Sequence, residues 1–284
     1  MEISKITVDG KEYEIAQPIK IKKTFTDHIK NDLYSKTPDM RNVIIADKIL
    51  VQPYIENIIG TDSGIFDTRI WAGYDLNEAI SNIEIPCVIK GNNAWRRMKF
   101  INKPADINNN LYDDMQFYLT NIGQSWEWYY KLIKPGILIE KKLPDEHLLY
   151  RVYVFGGVAK LYFIQRFDVS GKSGERWNVK SDSFHYANGD FIDVTWNNFP
   201  NERHNLTPEL CKKLNNMAER IAQFPDGIPT YLRVDLYHID NKIVFSELTM
   251  LPDGATGHFD YLRPQDLDFE MGTWYREAAE RLKK

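Results

Sequence analysis

Two apolar runs, YLRVDLYHI (231–239) and KIVFSELTML (242–251), are joined by a return turn at Asp240-Asn241-Lys242. Counting outward from that turn puts Asp235 and Glu247 about equally far from its centre, so the two carboxylates can meet across the hairpin. Arg233 shares a face with Asp235, because side chains two apart on a strand point the same way. Acids held together on a half-buried sheet repel unless a cation or a shared proton compensates. Two readings stay open at this point. One is a magnesium site carrying nucleotide phosphates beside an arginine fork. The other is an internal Arg–Asp–Glu salt-bridge network.

The remaining composition narrows the class. The chain has 284 residues, 43% hydrophobic and 27% charged, which is globular material large enough for several packed layers. Its net charge of −4 gives no basic field for nucleic acid. Cys87 and Cys211, far apart, make neither a disulfide framework nor a cysteine zinc site, and a reducing cytoplasm is expected. His185, His204, His238 and His258 are scattered without metal spacing, although His258, just after the second strand, is a candidate substrate contact. No GxSxG, GxxxxGK[ST] or GxGxxG occurs. The opening MEISKITVDGKEYEI reads as a hairpin turning at Asp9-Gly10 rather than a secretory signal, and no apolar run is long enough to span a bilayer.

Along the chain, the patterns predict helices over 41–60 (bent or restarted at Pro53), 76–83, 111–134, 207–224 and 264–284. Thr207, Pro208 and Glu209 mark the start of the fourth. Strands are expected within 66–74, at IPCVIK, KFINKP and ILIEKKL, and in a hairpin, HLLYRVYVF and VAKLYFIQRFDV, turning at Gly156-Gly157. Residues 170–205 show no clear period and read as loops; Arg176, Trp177, Tyr186 and Trp196 there are candidates for acceptor recognition. The sum is an α+β chain with antiparallel strand pairs.

Arg233, Asp235, Glu247, Thr249, Pro252 and Gly254 follow a close version of R-x-D … E-x-[NT]-x-x-P-G, the metal-binding signature of ATP-grasp ligases, with Asp253 inserted before the glycine. RVDLY…SELTMLPDG resembles more closely the TupA-like ATP-grasp family of bacterial surface-polysaccharide gene clusters. Asp47-Lys48, Val51 and Tyr54-Ile55 are similar to that family's DK-x-x-V-R-x-Y-[IV], with Gln52 in place of the arginine. IPCVIK resembles the strand ending in a phosphate-reaching lysine, here Lys90, and residues 126–143 resemble its EW-x-Y…I-x-P-x-I-x-x-E-x-x-L run.

The resemblance implies an ATP-grasp fold, two α+β subdomains clasping a nucleotide between antiparallel sheets. It divides the chain into an N-terminal hairpin and helical segment (1–40) and an ATP-grasp domain (41–284), with a small clasping subdomain near 85–143 and a metal-binding one over 144–284. It implies ATP and Mg2+ as cofactors. Lys48 and Lys90 would hold phosphates, with Arg151 replacing a phosphate-contacting lysine. Glu140, Lys141, Lys142 and Leu143 would face the base, and Asp145 or Glu146 the ribose. Asp235, Glu247 and Thr249 would hold the metal, and Arg233 would stabilise charge on an acyl phosphate.

The implied activity is ATP-dependent ligation of a small-molecule or glycan carboxylate to an amine, in a cytoplasmic protein with no nucleic-acid partner, at most peripheral to membrane-bound glycan assembly. Two alternatives stand beside it: a glycosyltransferase-like sugar transferase reusing the same metal pair, and a catalytically altered glycan-binding protein. The second follows from GNNAWRR at 91–97, where Trp95 is bulky in a position of small residues and Arg96 or Arg97 would compensate by charge. PDGATG in place of PGSG still has Gly254 and Gly257 to turn.

Overall fold

The computed structural model describes residues 4–8, 11–15, 23–35, 39–93, 98–121, 127–168, 178–195, 200–252, 262 and 266–284. Strands β1 (Ser4–Val8) and β2 (Lys11–Ile15) form the expected N-terminal hairpin, with Val8 opposite Lys11. Helix α1 (Phe25–Leu33) starts in a capping box: Asp27 N–H donates to Thr24 Oγ1 (3.1 Å), and Thr24 N–H donates to Asp27 Oδ2 (3.0 Å). The expected 41–60 helix is two, α2 (Arg41–Ala46) and α3 (Val51–Ile59). Asp47 makes the break, its Oδ1 accepting from the N–H groups of Ile49 (2.8 Å) and Leu50 (3.3 Å). Pro53 then falls in the first turn of α3, where its missing N–H costs nothing.

The first sheet has four antiparallel strands: β3 (Arg69–Gly73), β4 (Cys87–Gly91), β5 (Met98–Ile101) and β6 (Ile137–Lys141), in the order β3-β6-β4-β5. β3 joins it from well ahead of β4 in the chain. Its apolar face, with Cys87, Ile89, Ile137 and Ile139, is covered by α4 (Leu76–Ser81) and α5 (Asn109–Thr120). The helix expected over 111–134 is shorter than its pattern suggests. It stops at Thr120, where Asn121 turns extended (φ −84, ψ 113), and a separate helical turn covers Trp128–Leu132. The N-I-G-Q-S stretch at 121–125 offers no helix-forming face to continue with.

The second sheet has six strands: β7 (Glu146–Phe155), β8 (Val158–Asp168), β9 (Asn178–Tyr186), β10 (Phe191–Ile192), β11 (Tyr231–Ile239) and β12 (Lys242–Thr249), in the order β10-β9-β8-β7-β11-β12. Gly156 and Gly157 (φ 54 and 82) turn the β7–β8 hairpin, and Asp240 and Asn241 (φ 49 and 64) turn β11–β12. β9 and β10 lie inside the stretch expected to be loops.

One face of this sheet (Val152, Val154, Leu232, Val234, Leu236) packs on α3 and on α6 (Pro208–Ile221), which Thr207 caps by accepting from Leu210 N–H at 3.2 Å. The other face has an aromatic layer at one end, with Tyr153, Phe155, Phe163, Phe184 and Tyr231 packed with residues of α1 and of α7 (Asp266–Arg281). Two-sided burial explains why β7 and β11 read as nearly continuous apolar runs. Among the described residues no helix is long and apolar enough to cross a membrane.

Candidate active site

The two acids meet because β12 carries an extra residue. From the turn the register runs Ile239 opposite Lys242 and Leu236 opposite Phe245, then shifts so that Asp235 faces Glu247 and Arg233 faces Thr249. Without that bulge, Asp235 would face Ser246 and Glu247 would point to the other side. Arg233 binds both acids. Its Nε and Nη2 donate to Asp235 Oδ1 and Oδ2 (2.7 and 2.9 Å), and Nη2 also donates to Glu247 Oε1 (3.0 Å). From β7, Arg151 brings Nε to 3.4 Å from Asp235 Oδ2, with its guanidinium over the Phe163 ring. Asp235 is 1% exposed at its side chain and Glu247 35%, so Glu247 is the member of the pair open to a ligand.

The electrostatics follow from burial and neighbours. Burial disfavours charge on Arg233, but Asp235, Tyr153 and Glu247 more than restore it, and the guanidinium stays protonated. Burial also pushes Asp235 above the usual carboxylate range, aided by Glu247 and opposed by Arg233 and Arg151. Glu247 goes the other way: burial would raise it, yet Lys48, Arg233 and Arg151 together hold it below the usual range. Of the two arrangements open from sequence, the internal ion network is present. The pair also offers what Mg2+ takes, oxygen donors on adjacent strands with one carboxylate turned outward. Among the described residues no group of three or more His, Cys, Asp or Glu is placed to hold a metal, so ligands from a nucleotide would have to complete the shell.

Across from this pair, Lys48 in the turn after α2 stands 3.8 Å from Glu247 Oε2. Burial lowers its pKa, with Glu247 opposing. Lys90 near the end of β4 pairs with Glu140 Oε2, and Arg69 on β3 reaches Glu140 Oε1 at 3.4 Å. Burial alone would raise the Glu140 pKa; Lys90 and Arg69 outweigh it and hold the carboxyl below its ordinary value. Five cations, Lys48, Lys90, Arg69, Arg151 and Arg233, thus stand around three carboxylates, Glu140, Asp235 and Glu247. The positive surplus suits a polyanion.

Between the two sheets lies a narrow cleft with a cavity volume of about 40 Å³. It is lined from the small sheet by Val88, Lys90, Met98, Phe100 and Glu140, and from the large one by Tyr237, Phe245 and Ser246. Lys141, Leu143 and His147 close one end. The N–H groups of Lys141 and Lys142 already donate to Thr68 O (2.7 Å) and Pro86 O (3.2 Å), so neither is a free donor for a base edge. Asp145 pairs with Lys142 (2.7 Å), and Glu146 is exposed at the start of β7.

Asn92, just after β4 in the 91–97 stretch, is fully buried. Its Nδ2 donates to Asp47 Oδ1 and Lys134 O (both 2.9 Å), and its Oδ1 accepts from Gly136 N–H (2.7 Å). Tyr186 donates to Glu270 Oε2 (3.0 Å). Trp95, Arg96, Arg97, Trp126, Arg176, Trp177, Trp196, Asp253, Gly254, Gly257 and His258 lie outside the described residues. Arg69 is not foreseen in the sequence; its only signal there is a charged residue entering the short apolar run of β3.

A family model described as TupA-like ATPgrasp matches residues 28–276. Comparison with curated protein sequences gives no match. Among solved structures, the chain is similar to D-alanine–D-alanine ligase from Bacillus anthracis (17% identity, TM-score 0.49, covering 84% of this chain and 66% of that one). It is also similar to VanG D-Ala:D-Ser ligase from Enterococcus faecalis (14% identity, TM-score 0.49, covering 84% and 61%). The chain therefore spans just under two thirds of the length of these ligases.

Proposed function

The chain belongs to the TupA-like ATP-grasp family, and on that premise we propose that it is an ATP-dependent carboxylate–amine ligase working through an acyl phosphate. The observation that carries this reading is the Arg233–Asp235–Glu247 cluster with Lys48 beside Glu247, in surroundings with more cations than carboxylates. In the proposed reaction a substrate carboxylate attacks the terminal phosphate of ATP and expels ADP to form an acyl phosphate, and an amine then displaces phosphate, with loss of its proton, to leave an amide.

Asp235 and Glu247, with Thr249 beside them, would hold Mg2+, which when bound neutralises phosphate charge. Lys48 and Lys90 orient the phosphates, and Arg151 and Arg233 stabilise charge on the transferring group. The cleft walls exclude water from the reacting atoms. Leu143 and the Lys141–Lys142 carbonyls contact the base, with Asp145 or Glu146 toward the ribose. The family resemblance supports a uronic-acid-bearing glycan or its precursor as the carboxylate, and a cytoplasmic site of action.

The test is ADP release in the presence of candidate carboxylates and amines, with and without magnesium. Asp235→Asn and Glu247→Gln are each expected to lower it by about 100-fold or more. Turnover unchanged in both variants would refute the site assignment, and absence of magnesium-dependent ATP binding would refute the ligase reading.

A further inference from the structure

Arg69 lies on β3, the edge strand of the four-stranded sheet, with 8% of its side chain exposed. Its donors are divided between two sides. Nη1 donates to the Lys48 carbonyl oxygen (3.2 Å) and to Gln52 Oε1 (2.7 Å), while Nη2 donates to Glu140 Oε1 (3.4 Å). The other Glu140 oxygen is held by the Lys90 ammonium. One chain of contacts thus runs from the Lys48 carbonyl through Arg69 and Glu140 to Lys90.

That arrangement matters when Lys90 is needed elsewhere. A phosphate that draws Lys90 away removes one of the two cations paired with Glu140. A buried carboxylate left without a partner is strongly disfavoured and takes up a proton instead. We propose that Arg69 is a positioning residue that keeps Glu140 ionised while Lys90 passes from Glu140 to a nucleotide phosphate, a role that rests on the reading of Lys90 as a phosphate ligand. The other groups facing Glu140 are Lys48, from the turn after α2, and Tyr237 on β11. Lys90 and Arg69, by contrast, are its ion-pair partners.

The test is calorimetric binding of a non-hydrolysable ATP analogue with magnesium at neutral pH, in two buffers of different protonation enthalpy. The wild-type chain is expected to take up no net proton. Arg69→Met should take up a fraction approaching one proton per site, and its affinity should weaken with rising pH by up to about tenfold per unit. The double variant Arg69→Met/Glu140→Gln should lose that uptake. A purely structural role for Arg69 would weaken binding without moving the proton count.

Equal proton counts in wild type and Arg69→Met would overturn the proposal while leaving the ligase reading intact. No analogue binding by the wild type would sink both. Should Arg69→Met fail to fold, Arg69→Gln takes its place, and a proton count equal to that of the wild type again overturns the proposal.

Discussion

Arg233 neutralises two carboxylates from a position 5% exposed to solvent. Replacing it leaves Asp235 buried with Arg151, at 3.4 Å, as its one ion-pair partner among the described residues. Arg233→Met is therefore expected to cost about 3–5 kcal/mol in urea unfolding, the range for breaking one side of a buried ion pair. The same variant gives an independent view of the proposed metal ligands. With the guanidinium gone, magnesium alone should raise the Tm of Arg233→Met more than that of the wild type. An equal response in the two proteins would count against Asp235 and Glu247 as metal ligands. A second prediction concerns His185 and His204, buried with ring centroids 6.4 Å apart, where burial lowers the pKa of each. Gly189 O and Arg203 face His185, and Glu202 and Arg166 face His204. A lowered folded-state pKa means that the unfolded chain binds protons first. The stabilisation is complete above the unfolded histidine pKa of about 6.5 and is lost as pH falls toward the lower folded values. Asp182 nearby, raised by burial to about 7, acts in the opposite sense, so the histidine effect shows as a difference between two proteins. Relative to His204→Gln, the wild-type urea midpoint should fall as pH drops below about 6.5. Parallel pH profiles would remove His204 as a source of that dependence.

At the scale of elements, the β11–β12 hairpin is the most legible part of the chain and β9 the least. Asp235 and Glu247 are symmetric about a three-residue turn, Asp240-Asn241-Lys242, but the turn that forms has two residues, and the bulge at Ser246 restores the pairing. β9 escapes notice because NVKSDSFHY places Ser181, Ser183 and His185 on a buried face, where alternation of apolar residues would normally signal a strand. The covering segment supplies the explanation: Asp182 N–H donates to Pro200 O and Glu202 N–H to Asp182 O, and Ser181 contacts the Glu202 carboxylate. Arg69 is illegible for a different reason, since its partners come from three separate elements: the turn after α2, α3 and β6.

Across the whole molecule, α1 and α7 meet although they are far apart in the chain. Thr26 N–H donates to Asp268 Oδ1 at 3.0 Å across 242 residues, and a Cβ on Gly272 would lie 2.4 Å from the Lys23 carbonyl oxygen. Gly272→Ala should force the two segments apart and cost about 1–3 kcal/mol in thermal or urea unfolding. A variant as stable as the wild type would show that the contact adjusts freely. These two helices pack with the aromatic layer that includes Tyr153, the residue directly opposite Arg233 on β7. Loop-closure entropy must be overcome before that layer is complete. The candidate site therefore rests on contacts between segments far apart in the chain, and it is expected to form after the local hairpins.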